Sequence, residues 1–136
     1  MRMKKIFYTV PMAFVFMLFL SAVCFAEKLE FPDADFVFVD ARNTTGYYVD
    51  MNSVNFIGNN EVDARVEIVK AAENRFFVYS IHFNREKRTY QIIDSLNGQY
   101  DTKEKTGGSM VPLQVTGYAA GSPMECIVDY IYYPQP

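Results

Sequence analysis

Two stretches near the middle of the chain decide the fold: residues 61–71, EVDARVEIVKA, and residues 75–84, RFFVYSIHFN. In the first, apolar residues alternate with charged ones, and this alternation predicts a β-strand with one buried and one solvated face. The buried face would carry Val62, Ala64, Val66 and Ile68, and the solvated face Glu61, Asp63, Arg65 and Glu67. The second stretch has aromatic or apolar residues on both faces, so we expect a strand in the centre of the sheet.

Further short β-type runs surround these two strands. Residues 36–40 form one run, a break follows at residues 42–46, and extended runs resume at 47–50 and 54–57. The sequence Gly58-Asn59-Asn60 predicts a hairpin before residue 61, because Gly and Asn adopt positive φ at low cost.

The region after residue 84 continues the same pattern. A polar turn at residues 84–87 leads into a predicted strand at 88–96, and Asn97-Gly98 predicts a hairpin into a further strand near Gln99. Residues 102–109 are charged and contain glycine without periodicity, so we expect a mobile loop that continues through residues 111–113.

The spacing of apolar residues changes near the carboxyl end. Ser122 is suited to cap a helix, Pro123 suits the first helical position, and Glu125 completes a capping box. The apolar stripe comprises Met124, Ile127, Val128 and Ile131, and Pro134 ends the element. The fold class is therefore α+β: an antiparallel β-sheet with a C-terminal α-helix packed on one face, preceded by a signal peptide.

The signal peptide prediction rests on residues 1–26. Arg2, Lys4 and Lys5 precede an uncharged run from Ile6 to Ala26, and small residues at Cys24 and Ala26 place the cleavage site before Glu27. Residues 27–136 then form a single domain, exported to the periplasm or the cell surface. A retained membrane anchor and lipid attachment at Cys24 are the alternative interpretations of the same segment.

Composition narrows the class of protein. A chain of 136 residues that is 50% hydrophobic excludes a multidomain enzyme and a disordered tail. From Glu27 onward ten cationic residues face sixteen anionic ones, so the domain carries a net charge of −6 and offers no general basic surface to nucleic acid. Cys126 is then the one remaining cysteine, so no intramolecular disulfide forms, and one Cys with one His cannot make a four-ligand zinc cluster. We expect no cofactor.

Several short motifs, taken in order, resemble the surface-adhesin protein E family of exported bacterial proteins. They are Tyr47-Tyr48-Val49-Asp50 with Ser53-Val54, residues 66–70, Phe83-Asn84 with Arg88-Thr89-Tyr90, and Ser122-Pro123-Met124-Glu125. The resemblance implies an antiparallel sheet with a C-terminal helix on its concave face. Members with a disulfide carry cysteines where this chain has Arg85 and, near the helix end, Tyr132, so the helix here must be held noncovalently.

Four sets of residues are candidates for chemistry or binding. His82 has no nucleophile motif beside it, Cys126 is interpreted as a buried apolar side chain rather than a reactive thiol, and the acidic residues around Arg65 form a solvated face. The tyrosine cluster Tyr130, Tyr132 and Tyr133 is the predicted partner surface. We therefore predict a non-enzymatic binding or adhesion-like domain of the bacterial envelope, with a protein or envelope component as partner. The alternatives are a structural or self-associating protein that forms a homodimer through a sheet edge and, ranked last, a small envelope enzyme.

Overall fold

The computed structural model of this chain describes residues 27–134, so the predicted signal peptide lies outside the described residues. Seven antiparallel strands form one sheet, and a single C-terminal helix packs against it. The elements are β1 (Phe36–Arg42), β2 (Thr45–Ile57), β3 (Glu61–Lys70), a 3₁₀ turn (Ala71–Glu73), β4 (Arg75–Asn84), β5 (Thr89–Gln99), β6 (Lys105–Ser109), β7 (Thr116–Gly117) and α1 (Pro123–Tyr132). The α+β class predicted from the sequence is confirmed.

Strands β1 to β6 follow one another in chain order, and β7 pairs with β5 beside β6. The predicted hairpin between β2 and β3 is confirmed, with Gly58 at a φ of 72°. A second tight turn joins β1 to β2, where Asn43 and Thr44 have φ values of 48° and 62°. Strand β4 lies between β3 and β5, which confirms its central position.

Helix α1 covers one face of the sheet through its predicted apolar stripe. Ile127, Val128 and Ile131 are buried against a cluster that includes Val62 and Phe83, and Met124 packs at its margin. Burial of each such side chain stabilises the fold by roughly 1.5–3 kcal/mol. The docking of the helix therefore needs no covalent link.

The helix begins as the sequence predicts, except for the role of Glu125. The N–H of Glu125 donates to the Ser122 hydroxyl at 3.3 Å, and Pro123 occupies the first turn. In a capping box the Glu125 carboxylate would accept from the Ser122 N–H. Instead its Oε1 accepts from the Gly121 N–H at 3.0 Å, and its Oε2 pairs with Arg88.

The charged face of β3 was expected to be solvated, and this expectation was wrong where the N-terminal segment covers that face of the sheet. Residues 27–35 cross that face from β6 to β2: the Leu29 N–H donates to the Lys103 carbonyl at 2.8 Å, and the Met51 N–H donates to the Asp35 carbonyl at 2.9 Å. Beneath this N-terminal segment lies a second buried cluster of Leu29, Val69, Phe76 and Val78. At the far end of this sheet face the side chains of Glu61 and Asp63 are solvated.

Two predictions for the region after β4 were also wrong. Asn97 and Gly98 lie inside β5, and the chain turns four residues later, where Lys103 has a φ of 62°. Gly98 is required for a different reason, since a Cβ there would lie 2.3 Å from the Glu104 carbonyl oxygen. Part of the expected mobile loop is strand β6, which pairs with β5 from Ser95 to Gly98.

Candidate functional site

The helix and the first strand together form a shallow groove at one edge of the sheet. Helix α1 lies over β1 and β2, so its outer side borders the free side of β1. A cavity of about 280 Å³ opens there, lined by Val39, Cys126, Asp129, Tyr130 and Tyr133, and we call it the tyrosine groove. Tyr130 lies in the last turn of the helix and Tyr133 directly follows the helix, and both side chains line this cavity. Tyr133 is 69% exposed and Tyr130 is half-buried.

The third tyrosine of the predicted cluster lies elsewhere. Tyr132 packs against Phe56, with ring centroids 5.3 Å apart, and the Arg85 guanidinium carbon lies 3.9 Å from the centre of its ring. Its hydroxyl oxygen is buried and has no hydrogen-bond partner among residues 27–134. The structure therefore brings Tyr130 and Tyr133 together and assigns Tyr132 to the packing of the helix.

The contact between Arg85 and Tyr132 bears on how the helix is held. A cation lies over the face of an aromatic ring, an interaction that contributes about 0.5–2 kcal/mol depending on exposure. This noncovalent contact helps to hold the end of the helix in place.

Strand β1 contributes the Val39 side chain to the tyrosine groove. Among the described residues β1 pairs with β2 alone, so it is an edge strand of the sheet. Its pairing shifts by one residue between Phe38 and Asp40, which makes Val39 a bulge and directs it toward the core beneath the helix. Edge strands present main-chain N–H and C=O groups that an added extended segment can pair with.

His82 sits on the opposite face of the sheet between two carboxylates. Its Nδ1 lies 2.6 Å from Asp63 Oδ1 and its Nε2 lies 3.2 Å from Glu61 Oε1. The hydrogen bond to Asp63, opposed by burial and aided by Glu61, raises the pKa of His82 above its usual value. In the charged ring both nitrogens donate to carboxylates, so neither has a lone pair with which to accept a further proton.

The sequence treated these carboxylates as part of a solvated acidic row, but the structure gives them different environments. Burial raises the pKa of Glu67, whose side chain lies near Lys103. Arg65 stands between Asp63 and Glu67 in the sequence, and its side chain turns toward Asp50 instead of toward Glu61 or Asp63. No cluster of three or more metal-binding side chains with suitable geometry occurs within residues 27–134.

Cys126 is half-buried in the tyrosine groove, where the sequence predicted full burial. It lies on the helix side of the sheet, whereas His82 alternates with the helix-facing residues Ile81 and Phe83 and projects from the other side. The sheet therefore separates the thiol from the imidazole. These two groups do not form one site.

A buried ionic cluster that sequence reasoning missed holds the N-terminal segment. Asp50 is 1% exposed, and its Oδ1 accepts from the main-chain N–H groups of Asp35 at 2.8 Å and Asn52 at 3.0 Å. Its Oδ2 accepts from Arg65 at 3.3 Å, and the Arg65 guanidinium lies over the Phe31 ring. The signal available in the sequence was an acidic residue inside a β-type run, two residues before Asn52 and three before Ser53.

Asp50 also explains why the two runs expected at residues 47–50 and 54–57 form one strand. The pairing of β2 with β3 is irregular between Asp50 and Asn55, and there the Ser53 hydroxyl donates to the Asp50 carbonyl and accepts from the Arg65 N–H. An adjacent cavity of about 350 Å³ is lined partly by the N-terminal segment. Because the Asp50 carboxylate is already occupied by three donors, its role is to position that segment.

The chain was compared with protein-family models, curated proteins and solved structures, and nothing in any of the three matches it. Within residues 27–134, no helix has the length and apolar character needed to span a bilayer.

Proposed function

We propose that this protein is an exported, non-enzymatic binding domain of the bacterial cell envelope or surface, and that it holds a protein partner in the tyrosine groove. The observation that carries the proposal is the exposed ring of Tyr133, which lines one cavity together with Tyr130 and with Val39 of the edge strand β1. Export is inferred from the basic start and the uncharged run of residues 6–26.

The chemistry of the groove favours an extended protein segment as the partner. A segment that aligns with β1 gains main-chain hydrogen bonds, and its alternate side chains then point toward the helix. Tyrosine rings provide a large contact area at a small cost in side-chain entropy, and their hydroxyls supply polar contacts at the rim. The exposed Asp129 adds a negative charge to the groove, which favours a partner with a basic residue near the contact.

The arrangement of the titratable groups supports binding over catalysis. His82 is engaged by two carboxylates, and the thiol of Cys126 lies on the other side of the sheet. The resemblance to the surface-adhesin protein E family supports the same class of function, with adhesion as the expected outcome of binding. Self-association is the second candidate function, and a different surface of the molecule carries it.

The proposal is tested by site-specific photo-crosslinking in the producing cells. A photoreactive phenylalanine analogue replaces Tyr133 in one variant and Tyr100, which is 41% exposed at the turn after β5, in a matched control. We expect a crosslinked protein band from position 133 that Tyr130→Ala weakens, and no such band from position 100. Equal labelling from both positions, or no labelled protein from position 133, would refute binding at the groove.

A further inference from the structure

The edge of the sheet farthest from β1 carries an unusual row of apolar side chains. After β6 the chain runs along the outer side of β5, where the Leu113 N–H donates to the Ile92 carbonyl at 2.9 Å before β7 pairs with Thr89 and Tyr90. The exposed fractions in this row are 79% for Met110, 71% for Val111, 55% for Leu113 and 61% for Val115. We call residues 110–115 the apolar edge.

The apolar edge is also free of charge. No charged residue stands between Lys105 and Glu125, although the domain from Glu27 onward has a net charge of −6. Contiguous exposed apolar surface of a few hundred Å² marks interaction sites more often than chance exposure. The row itself offers neither a cation nor an anion to a partner, and the charged side chains of Glu61, His82 and Lys87 line a cavity that Val115 borders at one end of the row.

We propose that the apolar edge binds a second copy of the same chain in an antiparallel, two-fold pairing centred on Leu113. The order Val111-Pro112-Leu113-Gln114-Val115 is symmetric in its apolar positions. A two-fold axis at Leu113 therefore sets Val111 against Val115 of the second copy and Leu113 against its own equivalent. Val111, Leu113 and Val115 then each meet an apolar side chain of the second copy, as a symmetric dimer requires, while Met110 lies opposite Thr116 at the margin.

Charge is the reason for choosing a second copy as the occupant. Two acidic domains repel each other over most of their surfaces, and an uncharged edge is where they approach at the lowest electrostatic cost. A second copy carries the same apolar pattern as the first, because the two chains have the same sequence.

The geometry also limits the assembly to a dimer. Pro112 has no N–H to donate, so the main-chain ladder across the axis stays short and the side chains carry the association. A two-fold pairing consumes the apolar edge of both copies, which leaves no free edge of this kind for a third. A standard interface involves about 20–30 residues on each side, whereas this one centres on three apolar side chains per copy, so we expect a dimer that dissociates on dilution.

Sedimentation velocity with a charge exchange at Leu113 tests the proposal. The two-fold axis places like charges together in Leu113→Glu alone and in Leu113→Lys alone, so each variant sediments as a monomer at concentrations where the unchanged protein dimerises. An equal mixture of the two variants recovers the dimer, because opposite charges then meet across the axis. Far-UV circular dichroism checks that each variant is folded, which the 55% exposure of Leu113 leads us to expect.

The control and the refuting outcomes separate this proposal from the tyrosine groove. Tyr133→Glu alters the groove at a similarly exposed position and leaves dimerisation unchanged. A protein that stays monomeric up to about 1 mM refutes the proposal, and so does a dimer that survives Leu113→Glu. Binding of a monomeric protein to phosphatidylcholine vesicles through the apolar edge refutes it in favour of a lipid surface.

Discussion

The buried carboxylate of Asp50 gives the clearest quantitative prediction. In Asp50→Ala, the main-chain N–H groups of Asp35 and Asn52 lose a charged acceptor, and each such hydrogen bond contributes about 1.5–3 kcal/mol. Arg65 loses less, because its side chain is 37% exposed and can turn to water. We expect the free energy of unfolding to fall by about 3–5 kcal/mol, a large fraction of the total stability of a small domain.

Urea unfolding followed by far-UV circular dichroism measures this loss. Circular dichroism is the suitable signal because the chain contains no tryptophan whose fluorescence could report unfolding. Amide hydrogen exchange adds a local measurement: exchange at Asp35 and Asn52 should accelerate more than exchange in β4. Asp33→Ala is the matched control, since that carboxylate is exposed on the same segment, and its change should stay within about 0.5 kcal/mol. An Asp50→Ala variant as stable as Asp33→Ala would show that Asp50 does not hold the N-terminal segment.

Three further predictions follow from other contacts. Because its carboxylate partners raise the pKa of His82 above 6.5, the stability they contribute is complete below about pH 6.5 and is lost as the pH rises through the folded-state value. His82→Gln should therefore destabilise the protein more at pH 6 than at pH 9. The difference should be less than about 1 kcal/mol, because both carboxylates are nearly half exposed. An equal loss of stability at both pH values would contradict this. Tyr132→Phe removes a buried hydroxyl without a described partner and keeps the ring under the arginine, so thermal unfolding should show stability unchanged or raised by about 1 kcal/mol; a clear loss would reveal a partner for that hydroxyl. Gly98→Ala should cost about 1–3 kcal/mol because its Cβ meets the main chain of Glu104, whereas Gly117→Ala, where the nearest atom is 3.8 Å away, should be tolerated in the same assay.

The strands and the helix were predictable where burial imposes a period on the sequence. Strand β4 has the bounds that its pattern predicted, and β3 ends one residue short of its pattern. The helix stripe of Ile127, Val128 and Ile131 is buried as its spacing of three and four residues indicated. Each of these patterns arises from contact with one continuous apolar surface, so a few neighbouring residues are enough to reveal it.

The interpretation of Asn97-Gly98 failed because one residue type serves two purposes. A glycine in a turn supplies a positive φ, while a glycine in a strand allows another backbone to approach, and the local sequence is the same in both cases. Here the backbone of Glu104 makes that approach. The neighbour responsible follows from the pairing of β5 with β6, which no short window of sequence contains.

The candidate site divides in a similar way. The tyrosine-rich end of the chain marked the groove region, because Tyr130 and Tyr133 are close together in the sequence. The contact of Tyr132 with Arg85 and Phe56 depends on residues 47 and 76 positions earlier, so it required the folded chain. The bracketing of His82 by Glu61 and Asp63 likewise depends on the register between β3 and β4.

Alternation along single strands, capping at Ser122 and the apolar stripe of the helix are local properties, and through them the amino-acid order alone determined an antiparallel sheet with one helix on its face. Only the tertiary structure decided three other features: the second buried cluster, the role of Asp50, and the groove that β1 and the helix form together. The physical reason is distance along the chain: burial imposes its period on neighbouring residues, whereas the hydrogen bond between Asp35 and Asp50, or the meeting of Val39 and Tyr130 in one cavity, leaves no periodic trace in either segment.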